Sequence, residues 1–76
     1  MVSSVAANLR AMRQRRAYSQ AELAELAGVR QVTVARIELG RAQPRPRTIR
    51  KLAKALGVEP WDLLGNQGSV DNPSGT

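Results

Sequence analysis

Cysteine and histidine are both missing from this chain. Without cysteine there is neither a disulfide framework nor a thiolate zinc site. Without histidine the commonest general base and the commonest metal ligand are gone. Serines are present but have no plausible base. Glu22 and Glu25 serve as helix cap and exposed helix surface. Catalysis is therefore not expected, and the sequence implies no cofactor and no metal. No apolar run approaches the roughly 20 residues of a membrane span. The opening MVSSVAANLR lacks the charged-then-apolar order of a secretory signal. No membrane partner and a cytoplasmic location, in a bacterium or encoded by a phage, are the expectations. Internal repeats are absent as well. The 76 residues allow one small domain. A domain of about 60 residues buries only about 60% of its unfolded surface, so pairing of two copies would reinforce a marginal core.

Acidic side chains are scarce: six Asp and Glu stand against twelve Lys and Arg, for a net charge of +6. The imbalance is uneven along the chain. Residues 1–54 hold every Lys and Arg against Glu22, Glu25 and Glu38, and the remainder holds only Glu59, Asp62 and Asp71. Such a basic domain calls for a polyanionic partner.

What is present is organised around residues 19–40, SQAELAELAGVRQVTVARIELG. Ser19 followed by Glu22 is an S-x-x-E capping box, in which each residue satisfies a free backbone donor of the other. Leu23, Leu26 and Ala27 then recur at helical spacing, and Gly28 stands where a left-handed cap ends the helix. Ala24 offers a minimal side chain where a crossing helix needs close approach. Beyond the glycine, Val34 and Ile37 face inward with Val29, which leaves Gln31, Val32, Ala35 and Arg36 outward. Two short helices joined at a Gly turn make a helix-turn-helix.

The flanks complete an all-α reading with five helices. Ser3 or Ser4 caps a first helix carrying the stripe Val5, Leu9 and Met12 and ending near Arg16. Arg15 and Arg16 suit either that helix's C-terminal dipole or a phosphate. Tyr18 reads as a packing residue with a wet hydroxyl. The third helix runs from Gln31 to about Leu39 and stops at Gly40. A basic loop, RAQPRPRT, follows, with Pro46 suited to the first turn of a new helix. The fourth helix, Thr48 to Leu56, buries Ile49, Leu52, Ala53 and Leu56 and ends at Gly57. A short fifth begins at Pro60 and ends at Gly65. The domain thus spans residues 1–65. Residues 66–76 are Gly, Ser, Asn and Pro with a single valine, a disordered tail with no assigned role.

With five helices placed, the chain resembles the lambda repressor-like, Cro-type (XRE family) helix-turn-helix proteins. The likeness rests on Leu9 and Arg13, Ser19-Gln20, ELAELAG, Val29, Val34, Ile37, Glu38 and Gly40. It continues through LAKALGV from Leu52 to the Leu63-Leu64 pair. The resemblance implies a compact five-helix bundle that binds double-stranded operator DNA, usually palindromic, as a homodimer. It also implies a sequence-specific transcription regulator, a repressor rather than an activator. Antitoxins and restriction–modification controllers are variants of the same task. A chain with nothing substantial after helix five suits the controller or small-repressor form. A protein–protein adaptor would present a polar, uncharged helix-three face, against which Gln31, Arg36 and the arginine loop argue.

By that resemblance the base-reading positions are Arg30, Gln31, Val32 and Arg36. Gln31 pairs donor and acceptor as adenine requires, Arg36 forks onto guanine, and Val32 or Ala35 meets a thymine methyl. Arg30 replaces the usual Ser or Thr cap, a local cost of about 1 kcal/mol, which a base or phosphate contact would offset. Ser19, Gln20, Thr33, Arg41, Arg45 and Arg47 fall to the DNA backbone or minor groove, with Arg45 best placed for the groove. Arg13 and Glu38 form the family's structural ion pair. Leu39 departs from the polar residue usual before that glycine, and either packs under the basic loop or stands exposed. Trp61 either packs against Leu56 or, with a neighbour such as Leu64, makes an isologous dimer contact.

Overall fold

Ser4 holds an extended backbone, and its Oγ accepts the Ala7 N–H at 3.1 Å, which starts α1 (Val5–Arg15). The computed structural model describes residues 4–65. Among them four further helices follow: α2 (Gln20–Ala27), α3 (Gln31–Glu38), α4 (Pro46–Leu56) and α5 (Pro60–Leu64), with no strand. The expected tail, residues 66–76, lies outside the described residues. None of these helices is long and apolar enough to cross a membrane.

Local chemistry sets most of the boundaries. In α2 the Ser19 Oγ accepts the Glu22 N–H at 2.9 Å while the Glu22 carboxylate accepts the Ser19 N–H at 2.7 Å, the reciprocal box. The end of α1 is a Schellman turn, with Tyr18 N–H bonded to Arg13 O and Ala17 N–H to Gln14 O. Its left-handed position is occupied by Ala17, at φ +59°. At the equivalent place after α2 stands Gly28, at φ +73°. α3 stops at Glu38, with Leu39 as its cap. α4 starts two residues before the expected Thr48, because Pro46 takes the first helical position behind an extended Arg45. Arg47 is therefore in the first turn of α4 and not in the loop.

α2 packs against both α3 and α4, α1 against α3 and α5, and α4 against α5. The shared core is Leu9, Leu23, Ala24, Ala27, Val34, Ile37, Ile49, Leu52, Ala53, Leu56 and Leu63. Val5, Met12, Tyr18 and Val29 pack against its edge. Leu26, which spacing groups with Leu23 and Ala27, is 57% exposed while those two are buried. The small residues explain this. Ala24 and Ala27 turn inward with Leu23 where α3 and α4 come close, and at 100° per residue that rotation carries Leu26 out of the seam. Asn8 adds a tie between the ends of the chain, its Nδ2 donating to Leu63 O at 2.9 Å.

Candidate nucleic-acid interface

The two sides of α3 differ sharply. Val34, Ile37 and Glu38 are buried, whereas Gln31, Val32 and Arg36 are exposed and Thr33 and Ala35 are half-buried. Gln31 and Ala35, like Val32 and Arg36, are one helical turn apart, so the outward residues form a continuous strip. Arg30 precedes the strip as the N-cap; it is extended, exposed and makes no side-chain capping bond. Val32 carries an apolar surface on this otherwise polar strip.

Behind α3 lies a bonded cluster. The Glu38 carboxylate accepts Arg13 Nε at 2.6 Å and Arg13 Nη2 at 2.9 Å, a forked pair, and Arg13 Nη1 donates to Tyr18 O at 2.8 Å. Gln20 Nε2 donates to Glu38 Oε1 at 3.1 Å, and Arg10 Nη2 reaches Glu38 O at 3.4 Å. Burial pushes the Glu38 carboxyl up. The hydrogen bonds from Arg13 and Gln20, helped by the charges of Arg13 and Arg10, outweigh that and hold it below its ordinary value. The bond to Glu38 likewise raises Arg13, against an opposing effect of burial. Arg13 and Glu38 thus join α1 to the end of α3. Gln20 and Arg10 were not foreseen in this role, although Arg10 and Arg13 stand three apart on one face of α1. Gln20, expected at phosphate, gives a side-chain donor to Glu38. In the first turn of α2 the Glu22 N–H is taken by Ser19 Oγ, which leaves the backbone N–H groups of Gln20 and Ala21 without a helical acceptor.

Ser19 is exposed beside those groups while also capping. Arg41 and Arg45 lie exposed on the loop between α3 and α4, and Arg47 is exposed on the first turn of α4. Arg16 turns elsewhere: its guanidinium stands against Gly57 at the end of α4, where a Cβ would meet Nη2 at 2.7 Å. Leu39 is 63% exposed and Trp61 is 54% exposed, so neither is a core residue. Leu64 is exposed too, unlike buried Leu63. Among the described residues no cluster of side chains could hold a metal ion.

A helix-turn-helix family model matches residues 9–62. The chain belongs to this family. Helix-turn-helix proteins of the lambda repressor-like group are DNA-binding transcription regulators, and the five-helix fold here is theirs. This helix-turn-helix protein is 37% identical over 71 residues to the HTH-type transcriptional repressor RghR of Bacillus subtilis (strain 168). That match covers 92% of the chain but 53% of the relative, so the chain spans about half the relative's length. The restriction–modification controller protein C.AhdI from Aeromonas hydrophila superposes with a TM-score of 0.76 at 35% identity, covering 79% of this chain and 91% of that one. The P22 c2 repressor protein, solved in complex with a synthetic operator, superposes with a TM-score of 0.77 at 29% identity, covering 82% and 94%.

Proposed function

We propose that this DNA-binding regulator is a repressor that reads double-stranded operator DNA by inserting α3 into the major groove. The observation that carries the reading is the division of α3. Its Gln31, Val32 and Arg36 strip faces outward, while Glu38 on the opposite side is bonded to Arg13 and Gln20. A helix braced this way presents its side chains in a fixed register, as base discrimination requires. Arg30, Gln31, Val32 and Arg36 meet base edges. Ser19, the backbone at Gln20, Thr33, Arg41, Arg45 and Arg47 hold the phosphates, with Arg45 reaching toward the minor groove. No catalytic role is assigned, and the working location is the cytoplasm.

The protein binds as a symmetric dimer. Exposed Leu64 lines an apolar groove of about 260 Å³ with Pro44, Pro46, Ile49, Arg50 and Pro60, and exposed Trp61 follows Pro60 on α5. An apolar face of that kind suits an isologous contact through α5. The likeness to C.AhdI, which covers 91% of that chain, favours control of a restriction–modification operon as the second reading.

Selection of bound sites from random duplexes tests the proposal. The expected product is a two-fold repeated motif whose half-sites lie about one helical turn, ~34 Å, apart. Equal binding to every duplex, released at modest salt, would leave only a generic polycation.

A further inference from the structure

Leu39 is the most exposed large apolar side chain among the described residues, at 63%. The DNA reading gives it no role, and it lines no part of the groove around Leu64. Its backbone is nonetheless held. The Leu39 N–H donates to Ala35 O at 3.0 Å, so the residue continues the helix, and its own φ −82° and ψ −4° stay right-handed. The Gly40 N–H then bonds to Ile37 O and the Arg41 N–H to Arg36 O, both at 2.9 Å, which locks the turn. A Cβ at Gly40 would meet nothing within 4 Å, so the space next to Leu39 is open.

Helical geometry places Leu39 on the outward strip. Seven positions beyond Val32, it stands about 20° from Val32 around the axis and about 10 Å further along it. Ala35 lies between them, three residues from one and four from the other. Val32, Ala35 and Leu39 thus form one apolar line, with Gln31 on one side and Arg36 on the other. A length of about 10 Å matches the rise of about three base pairs.

An apolar side chain gains nothing from a phosphate or from the polar edge of a base. In the major groove its matching partner is the C5-methyl group of thymine, a group that 5-methylcytosine also carries. We propose that Leu39 is a further specificity-determining residue, which reads the C5-methyl group of a pyrimidine about three base pairs from the contact of Val32; the inference rests on the DNA-binding reading. Methylation of a cytosine at that step therefore strengthens binding.

The test scans the selected operator one base at a time, on both strands of one half-site. Each thymine is replaced by uracil, which removes the methyl and keeps the pairing, and each cytosine by 5-methylcytosine, which adds it. At the Leu39 step the methylated base of either pair is expected to bind wild type about fourfold more tightly than its partner, the contribution of one buried methyl group. Leu39→Asn alters an exposed position, so it is expected to keep the wild-type melting temperature. It should bind methylated and unmethylated bases equally at that step, yet keep the wild-type preference at the step read by Val32. Val32→Ala should show the converse. A wild-type methyl preference confined to the Val32 step overturns the proposal, as does one at every step that survives in Leu39→Asn. Weakening by Leu39→Asn that is the same with and without the methyl marks a contact to the sugar and also overturns it. If no site is selected from random duplexes, the DNA reading falls and the role of Leu39 falls with it. A selected site whose scan is flat outside the Val32 step removes Leu39 alone.

Discussion

Glu38 is a charge buried in a domain too small to waste stability. Its value lies in being paired: removing one partner of a buried ion pair costs about 3–5 kcal/mol, against a total of roughly 5–15 kcal/mol for a typical domain. Glu38→Gln should therefore lower the melting temperature by more than about 10 °C. The pH dependence has a definite sign. Since folding depresses this carboxyl, the pair's contribution is fully present above the unfolded value of about 4.3. It is lost as pH falls through the lower folded value. Denaturation midpoints measured between pH 7 and 2 should fall more steeply on the acid side for wild type than for Glu38→Gln, and parallel curves would contradict the assignment. Ala17 is a second single-residue test. An L-residue in the left-handed region costs about 1–2 kcal/mol, and glycine there forfeits about 0.5–1 kcal/mol of chain entropy. Ala17→Gly should stabilise the protein by roughly 0.5–1 kcal/mol, read as a higher urea midpoint with an unchanged slope.

The elements were largely legible as sequence because their ends are local events. Ser19 with Glu22, Gly28 and Gly57 act within a few residues of chain, so spacing alone locates them, whereas the start of α4 at Pro46 was read two residues late. α3 breaks the rule at its start, where Arg30 offers no capping acceptor. Arg30→Ser should stabilise the protein by about 1 kcal/mol and weaken operator binding. A higher melting temperature with unchanged affinity would remove Arg30 from the interface. The rotation of α2 was not legible. Apolar spacing put Leu26 with Leu23, and only the close approach of α3 and α4 onto Ala24 and Ala27 turns it to solvent.

For the molecule as a whole, the proposed DNA reading divides the basic surface into positions that count phosphates and positions that read bases. Arg45→Ala should reduce the magnitude of the logarithmic salt slope by about 0.9 at every sequence. Gln31→Ala should leave the slope alone and lose about 1–3 kcal/mol of discrimination at one base pair. Assembly is tested at this scale as well. Sedimentation of wild type and Leu64→Arg across a concentration range should show self-association that the variant lacks. A wild type that remains monomeric at high micromolar concentration would rule out the α5 contact.

Sequence alone determined the five helices, the Ser19–Glu22 box, the glycine turn and the outward strip from Gln31 to Arg36, because each shows in residues only a few positions apart. Tertiary structure decided what lies between elements. It gave the Gln20 amide and Arg10 to Glu38, aimed Arg16 at the end of α4 and left Leu26 outside. Those outcomes depend on which surfaces meet, and bonds between residues 18 and 28 positions apart carry no periodic mark in the chain.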